Sequence, residues 1–293
     1  MKRFGLIGSG ISHSQSPALF KEAYGDKWPY DLLDGEEFDP LWEKFLTDYS
    51  GVNITSPFKE KAFMQVAALT ADGRGMLTGP ALKAGAINIA VKQEGCILGA
   101  NTDFDAVVLS VAEALFPGII EEFSGTFGRD LTKRAHQFVK QQFDSVYPGQ
   151  GAQALVIGCG GAGRAAAVAA AELGYDVILT NRTQSRAADF ALSLPEYGFA
   201  VCGIQDLKPA VKACDLIILA ASAQIENLEI SDFEKIGPHR PKILIEANYK
   251  NPIFAGERLL TALRAGVIHV DGSQWLARQA LAGFPVLTSP ELP

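Results

Sequence analysis

A glycine-rich turn between an apolar strand and an alanine-rich helix constrains the fold of this chain more than any other feature. The strand is Leu155–Ile157, the helix is Ala165–Leu173, and the turn over Gly158–Gly163 fits the pattern G-x-G-x-x-G. The first glycine permits a tight turn, the second lets an anion approach the backbone, and the third lets helix and strand pack closely. The helix start adds unpaired N–H groups and a positive dipole end. This context predicts a dinucleotide-binding turn, and a glycine-rich turn that binds no ligand is the alternative.

The residues after the next strand indicate which dinucleotide fits. An NAD-binding unit places Asp or Glu at the end of this strand, here Asp176–Thr180, to bond the ribose 2′-hydroxyl. This chain has Asn181-Arg182-Thr183 there, with Arg186 one turn later. A guanidinium and hydroxyls suit a 2′-phosphate, and no carboxylate repels it. The pattern favours NADP over NAD, and a solvated arginine at a strand end is the simpler alternative.

Strand-like and helix-like segments alternate along almost the whole chain, which is typical of α/β proteins. A length of 293 residues suggests two domains. We predict two α/β domains with a cleft between them: residues 1–112 together with 272–293, and a Rossmann-type domain of residues 151–271. Residues 117–150 interrupt the alternation, and we interpret them as an inserted segment with a surface helix over Arg129–Phe143.

The composition excludes several partner classes. The chain has 26 basic and 33 acidic residues, a net charge of −7, and no basic run, so neither nucleic acid nor an anionic membrane surface is an expected partner. No stretch approaches the ~18 apolar residues of a membrane span, and the first apolar stretch is too short for a signal peptide. The cysteines form no CxxC pair and the histidines lack metal-binding spacing, so we predict no metal site. We expect a cytoplasmic protein that is a monomer or a homodimer.

Polar segments of the first half of the chain follow strand-like stretches. They are Ser12–Pro17, Asn53–Lys59, Gly85–Asn88 and Asn101–Asp103. Ser16-Pro17 and Ser56-Pro57 are typical of helix starts, with serine as the cap and proline in the first turn. Each segment alone has a structural explanation as a cap, a turn or a solvated face. Together they place hydroxyls, amides, one lysine and one carboxylate at the carboxyl ends of strands, where open α/β sheets bind ligands.

These segments resemble the signatures of the shikimate/quinate dehydrogenase family, in the order expected for it. The first half contributes Ser14-Gln15-Ser16-Pro17, Asn53–Lys59, Gly85–Asn88 and Asn101–Asp103. The second half contributes Gly158–Gly163, Asn181–Thr183, Tyr249-x-x-Pro252, Asp271-Gly272 and Gln279-Ala280. The resemblance covers nearly the whole chain except residues 117–150, and several motifs in order are more specific than any one alone.

The resemblance implies a reduction of 3-dehydroshikimate to shikimate by NADPH, with Lys59 and Asp103 as the catalytic pair and a small-molecule substrate held by the first domain. Reduction builds negative charge on the ketone oxygen, which a positioned proton donor stabilises. Which of the pair is the formal acid or base stays open. The implied substrate-binding residues are Ser14, Ser16, Asn53, Thr55, Asn88, Tyr249 and Gln279. The implied cofactor-binding residues are Gly158, Gly160, Gly161, Ala162, Gly163, Arg164, Asn181, Arg182, Thr183, Arg186, Ala247 and Gly272.

Several positions depart from the family pattern around the substrate and the cofactor. Phe104 follows Asp103 where glycine is usual, and Trp275 replaces a methionine; the other departures are Ile89, Leu219–Ala221 and Glu246. They leave open quinate or another polyhydroxycyclohexane carboxylate as the substrate. A ligand sensor without turnover is a further alternative. Lys59 and Asp103 argue against a sensor, because binding alone does not need a matched acid/base pair.

Overall fold

The protein, described here by a computed structural model over residues 1–123, 125–149, 151–221, 232 and 240–289, divides into two units. The first comprises residues 1–103, 127–129 and 279–293, and the second comprises residues 104–126 and 130–278. The predicted domain ranges also take in residues 124, 150, 222–231, 233–239 and 290–293, which lie outside the described residues. The first unit ends at residue 103 and resumes at residue 279, whereas the predicted first domain ends at residue 112 and resumes at residue 272. The functional division into domains stays a prediction.

The first unit is built on a six-stranded mixed sheet. Its strands are β1 (Phe4–Gly8), β2 (Tyr30–Asp34), β3 (Gly51–Ile54), β4 (Gly75–Leu77), β5 (Ile89–Gln93) and β6 (Cys96–Ala100), in the order β2-β1-β3-β5-β6-β4. β1 pairs in parallel with both β2 and β3, whereas β5 runs antiparallel to β3 and β6. This order places the ends of β1 and β3, which carry the polar segments, side by side.

Four helices complete the first unit: α1 (Ser16–Tyr24), α2 (Phe38–Asp48), α3 (Lys59–Thr70) and α4 (Gly79–Ala84). One buried cluster packs Trp42 and Phe45 of α2 against sheet residues such as Ile54. A second cluster packs Phe4 and Phe20 with Phe284, Val286 and Leu287 of α12 (Gly272–Thr288). The apolar residues of the strands and helices thereby form two cores within one unit.

The second unit is built on a six-stranded parallel sheet. Its strands are β7 (Gln153–Ile157), β8 (Asp176–Thr180), β9 (Ala200–Val201), β10 (Leu216–Leu219), β11 (Lys242–Glu246) and β12 (Val267–Val270), in the order β12-β11-β10-β7-β8-β9. All five pairings are parallel. Read from β9, this is the strand order 3-2-1-4-5-6 of the dinucleotide-binding fold, whose ligand site lies where the order reverses, between β7 and β10. The predicted α/β class and Rossmann-type sheet are confirmed.

Among the described residues, the helices of the second unit are α6 (Ile119–Glu122), α7 (Gly128–Val146), α8 (Gly161–Leu173), α9 (Gln184–Ser193), α10 (Leu207–Ala213) and α11 (Gly256–Arg264). Helices α5 (Asp103–Leu115) and α12 (Gly272–Thr288) each contain a unit boundary, as does the first turn of α7. The predicted surface helix at Arg129–Phe143 is confirmed as α7, which is longer at both ends. Short 3₁₀ turns occupy Pro195–Tyr197 and Ile204–Asp206.

The two predicted helix starts have different outcomes. Helix α1 begins at Ser16, so the predicted start is confirmed, although Gln15 and not Ser16 is the cap residue. The start at Ser56-Pro57 is wrong, because α3 begins at Lys59 with Phe58 as its cap. The Phe58 N–H closes a turn onto the Thr55 carbonyl, 3.0 Å away, before the helix begins. This extra turn makes Lys59 the first helical residue.

Candidate functional site

A buried carboxylate held by two donors forms the centre of the candidate site in the first unit. Asp103 is 1% exposed and begins α5, where the helix dipole favours a negative charge. The Lys59 ammonium donates to one of its oxygens over 2.6 Å, and the Gln279 amide donates to the other over 2.6 Å. Lys59 follows β3 and Asp103 follows β6, so the sheet brings together residues that are far apart in sequence.

The Lys59 ammonium retains donor capacity after this contact. An ammonium has three N–H groups, and within the described part of the chain Asp103 accepts from one of them. The Lys59 side chain is 11% exposed, so its charge is mostly shielded from solvent by protein. The contact with Asp103 therefore orients the Lys59 ammonium, which can donate a further hydrogen bond to a reacting oxygen.

The segment before Asp103 is tied to the segment before β5. The Asn88 carboxamide oxygen accepts the Thr102 N–H over 2.8 Å, and its amide group donates to the Thr102 hydroxyl over 3.1 Å. Asn101 donates to the Ala86 carbonyl over 3.0 Å and accepts the Asp103 N–H over 3.0 Å. Asn88 and Asn101 are each 2% exposed, and they fix the entry of α5 and with it the carboxylate.

The other predicted substrate residues of the first unit lie at the carboxyl ends of β1 and β3. The Ser14 hydroxyl donates to the Ser16 hydroxyl over 3.2 Å and accepts the Ser16 N–H over 3.2 Å. Asn53 is half-buried in β3, and its oxygen accepts from the Tyr30 hydroxyl over 2.8 Å. Thr55 is half-buried, and its N–H donates to the backbone of β1. Hydroxyl and amide groups therefore surround this end of the sheet.

Two residues of β2 that the sequence analysis did not single out also contribute. The Asp34 carboxylate accepts the N–H groups of Gly10 and Ile11 over 2.7 and 3.1 Å, which holds the loop leading to Ser14. Asp34 follows Leu32 and Leu33 at the end of β2, and a polar residue after apolar strand residues is also the signal of the other polar segments. Tyr30 carries no such signal, because an aromatic residue at a strand start is ordinary.

The glycine-rich turn joins β7 to α8 as predicted. Gly158 has a φ of +103°, and a Cβ at Gly163 would overlap the Gly158 carbonyl oxygen, so both positions require glycine. A Cβ at Gly160 would meet nothing within 4 Å, which leaves open space above the turn. The first turn of α8 contains no acidic residue. Gly161, Ala162 and the following N–H groups of this helix start therefore suit an anionic pyrophosphate.

The end of β8 is tied to the same turn. Asn181 accepts the Cys159 N–H over 3.1 Å and donates to the Thr183 carbonyl over 2.9 Å. Arg164 donates to the Cys159 carbonyl over 3.2 Å. Burial raises the pKa of the Cys159 thiol to about 11, and the Arg164 and Arg186 guanidiniums partly offset this rise. The thiol is therefore neutral near pH 7, and the surrounding charge is positive.

The exposed residues after β8 are cationic or hydroxyl-bearing. Arg182, Thr183 and Arg186 are exposed, and Thr183 is the cap residue of α9, whose first turn has no acidic residue. No carboxylate stands at positions 181–183 to compete for a ligand hydroxyl. This donor set fits a phosphate monoester better than an unmodified ribose.

The remaining predicted cofactor residues lie where β11 ends. The Glu246 carboxylate accepts the Ile253 N–H over 2.7 Å and contacts the His269 ring over 2.9 Å, which holds the loop that contains Ala247 and Tyr249. A Cβ at Gly272 would overlap the Tyr249 backbone, so glycine is required where α12 starts. Ala247 and Tyr249 are half-buried. Ala247, Tyr249 and Gly272 are therefore neighbours in the second unit.

Both aromatic departures from the family pattern have buried side chains. Phe104 is 7% exposed, and its ring centroid lies 6.5 Å from that of His136 on α7. Trp275 is 3% exposed.

Within the described residues, no group of three or more His, Cys, Asp or Glu side chains could hold a metal ion. No helix in the described ranges is long and apolar enough to cross a membrane.

Comparisons with known families match both halves of the chain. The model of the shikimate dehydrogenase substrate binding domain matches residues 6–89, and the model of shikimate / quinate 5-dehydrogenase matches residues 137–247. The shikimate dehydrogenase (NADP(+)) of Natronomonas pharaonis is 30% identical over 304 aligned positions, which cover 100% of this chain and 96% of that protein.

Solved structures are also similar over the full length. Shikimate 5-dehydrogenase from Thermus thermophilus in complex with NADP(H) and shikimate is 26% identical, with a TM-score of 0.67 over 100% of this chain and 95% of that one. Quinate dehydrogenase from Corynebacterium glutamicum in complex with NAD has a TM-score of 0.70 over 98% and 93% of the two chains. At 20% identity the latter shows a shared fold alone.

Proposed function

The chain belongs to the shikimate dehydrogenase family, and from this membership we propose that it catalyses the reversible, NADPH-dependent reduction of 3-dehydroshikimate to shikimate. The observation that carries the proposal is the Asp103 carboxylate held between the Lys59 ammonium and the Gln279 amide, each at 2.6 Å. This reaction belongs to the shikimate pathway, which leads through chorismate to the aromatic amino acids.

The proposed chemistry needs a hydride and a proton. Bound NADPH supplies the hydride that the substrate carbon receives. The Lys59–Asp103 pair supplies the proton to the ketone oxygen and stabilises the negative charge that develops on it. Asp103 orients the ammonium, and Gln279 fixes the carboxylate that does so. In the oxidation direction the same pair accepts the proton of the alcohol.

The substrate is proposed to bind through the polar groups of the first unit. The Ser14 and Ser16 hydroxyls would donate to its carboxylate. Asn53, Thr55, Asn88 and Gln279 would bind its hydroxyls and the carboxylate end, with Tyr249 nearby. The Ser14 and Ser16 hydroxyl oxygens lie 3.2 Å apart, which supports this assignment, because both hydroxyls can rotate to donate to the two oxygens of one carboxylate.

The cofactor is proposed to bind through the second unit. The pyrophosphate would lie over Gly158, Gly160, Gly161, Ala162 and Gly163, at the start of α8, with Arg164 bracing the turn. Asn181, Arg182, Thr183 and Arg186 would hold the adenosine end, with the 2′-phosphate at the exposed guanidiniums. Ala247 and Gly272 would line the nicotinamide end. The open space at Gly160 and the cationic end of β8 support NADP.

We further propose that the enzyme works in the cytoplasm, as a monomer or a homodimer. All four cysteines are free thiols, which suits a reducing compartment. The functional division is proposed as residues 1–112 and 272–293 for substrate, residues 151–271 for cofactor, and residues 117–150 as an insertion without a chemical role.

The test is oxidation of shikimate and of quinate, each with NADP⁺ and with NAD⁺, followed by nicotinamide absorbance. We expect turnover with shikimate and NADP⁺ and much slower rates with the other three pairs. A preference for quinate or NAD⁺ would overturn the assigned specificity and would implicate Phe104 and Trp275. Binding that stabilises the protein without turnover of any pair would indicate a sensor.

A further inference from the structure

Tyr30 places its hydroxyl among residues proposed to bind the substrate, although the reaction assigns it no role. It is the first residue of β2, and its hydroxyl donates to the Asn53 carboxamide oxygen over 2.8 Å. The same hydroxyl interacts with the Ser16 side chain. One phenol thus contacts an amide and a hydroxyl that belong to two different polar segments.

The sheet register explains why a tyrosine makes this contact. β1 lies between β2 and β3, with Tyr30 opposite Phe4 and Asn53 opposite Leu6. Neighbouring strands lie about 5 Å apart, so a side chain on β2 must extend across β1 to meet Asn53 on β3. The length of a phenol suits this reach, whereas a serine or threonine is too short.

The ring of Tyr30 is held in place by aromatic neighbours. Its centroid lies 4.7 Å from that of Phe20, which is 1% exposed, and 6.4 Å from that of Phe284. Such contacts restrict the ring and therefore the position of its hydroxyl. The tyrosine is a rigid donor, and the amide that accepts from it is fixed in turn.

A fixed amide presents one kind of group to a ligand. A carboxamide has an acceptor oxygen on one side and an N–H₂ donor on the other, and rotation by half a turn exchanges them. Because Tyr30 donates to the oxygen of Asn53 and occupies one of its two lone pairs, the N–H₂ group with its two hydrogens is the larger part of the amide left for a ligand. The site consequently offers a donor at this position.

We propose that Tyr30 is a positioning residue that fixes the Asn53 carboxamide as a hydrogen-bond donor to a substrate hydroxyl oxygen. This inference rests on the proposed function, since it assumes that Asn53 contacts the substrate. It defines the chemical class accepted at this position: a hydroxyl or carbonyl oxygen can accept, whereas an ammonium, which has no lone pair, cannot.

The chain offers a matched control in Tyr24. Its ring belongs to the same aromatic cluster, 4.9 Å from Phe20 and 6.4 Å from Phe284. Its hydroxyl instead contacts the Thr288 hydroxyl at 3.1 Å, away from the polar segments. Tyr24→Phe and Tyr30→Phe therefore remove the same atom from the same cluster and differ in what that atom contacts.

The experiment compares the steady-state kinetics of wild type, Tyr30→Phe and Tyr24→Phe with shikimate and NADP⁺. Loss of one hydrogen bond that orients a binding group should raise KM for shikimate about 5- to 10-fold and leave kcat and KM for NADP⁺ nearly unchanged. Tyr24→Phe should keep the wild-type KM. Equal KM values for the two variants, with wild type active, would overturn the role of Tyr30 and leave the proposed function standing. Absence of wild-type turnover would overturn the proposed function.

Repeating the Tyr30→Phe substitution in an Asn53→Ala variant tests whether Tyr30 acts through Asn53 or stabilises the site in general. In Asn53→Ala the amide is gone, so adding Tyr30→Phe should not raise KM further. If the two substitutions instead multiply, Tyr30 acts independently of Asn53 and the proposal is wrong. Thermal unfolding of both tyrosine variants checks the comparison, since a purely structural role would lower the melting temperature without a selective change in KM.

Discussion

Two buried lysines, one in each unit, have very different surroundings. Lys59 in the first unit is 9% exposed as a whole residue and donates to the Asp103 carboxylate over 2.6 Å. Lys242 in the second unit is 0% exposed and donates to the Val211 and Lys212 carbonyls over 2.6 and 3.2 Å, in the last turn of α10. One lysine is oriented by a carboxylate that a second donor also holds, whereas the other satisfies the carbonyls that a helix end leaves unpaired.

The contrast shows that burial of a lysine does not identify a catalytic residue. Burial lowers the pKa of Lys242 to about 8, although nearby Asp215 and Cys214 oppose the change. A perturbed pKa of this kind is often taken to mark a functional site. Here the perturbed lysine is bonded to backbone carbonyls at a helix end, and the proposed catalytic lysine is distinguished by its carboxylate partner.

The largest expected effect is on turnover by the first unit. Lys59→Ala should lower kcat by roughly 10²- to 10⁴-fold, because it removes the group that delivers or accepts the proton. Lys242→Met is the matched control and should keep a kcat close to that of wild type. Both are measured as shikimate oxidation with saturating NADP⁺. Nearly intact turnover in Lys59→Ala would refute the catalytic pair.

The next effect concerns the stability of the second unit and its dependence on pH. The folded pKa of Lys242, about 8, lies below the ordinary 10.5, so between these values the unfolded chain binds the extra proton and the free energy of unfolding rises with pH. Lys242→Met lacks this titration. The free energy difference, wild type minus variant, should therefore increase by roughly 3 kcal/mol from below pH 8 to above pH 10.5.

Denaturant unfolding of both proteins across this pH window measures that difference. Groups that do not interact with Lys242 contribute equally to wild type and variant, so they cancel in the subtraction. Cys214, whose raised pKa Lys242 partly lowers, leaves a smaller residual difference above pH 9. If the two stability profiles run parallel, Lys242 does not titrate in the folded state over this range. The comparison between the two lysines would then rest on their hydrogen-bond partners alone.

The smallest expected effect is that of substituting the exposed Arg182, in contrast to the buried Lys59 and Lys242. Arg182→Ala should raise KM for NADP⁺ by about 10-fold, the value of one charged hydrogen bond, and change KM for NAD⁺ much less. Arg264→Ala removes another exposed arginine of the second unit, in the last turn of α11, and serves as the control. Equal increases for NADP⁺ and NAD⁺ in Arg182→Ala would exclude a contact with the 2′-phosphate.

The sequence could predict the parts of the site that local chemistry determines. Gly158–Gly163 joins a strand directly to the helix whose first residues it includes, so the pattern was sufficient to predict the turn and its geometry. Lys59 and Asp103 stand in polar segments after strands, so local sequence predicted that both lie at strand ends. Their pairing was predicted from the resemblance to the family. The structure brings them to 2.6 Å.

The parts that could not be predicted depend on strand order. Tyr30 contacts Asn53 because β1 lies between β2 and β3, and no local pattern encodes this arrangement. The contact of Lys242 with α10 joins residues 31 apart along the chain. The start of α3 at Lys59, after an extra turn at Thr55–Phe58, was also missed, because a Ser-Pro pair suits a turn as well as a helix cap.

The hydrogen bond between Gln279 and Asp103 joins residues 176 apart, and this separation determines when the first unit can be completed during synthesis. The ribosome must translate residues 104–278 before Gln279 and the aromatic residue Phe284 exist to pack against the first hundred residues. The second unit, which is continuous from 104 to 278 except for residues 127–129, can fold while the chain is still growing. The fold of the first unit is therefore completed only after Gln279 has been synthesised. Until then Asp103 lacks one of its two side-chain donors.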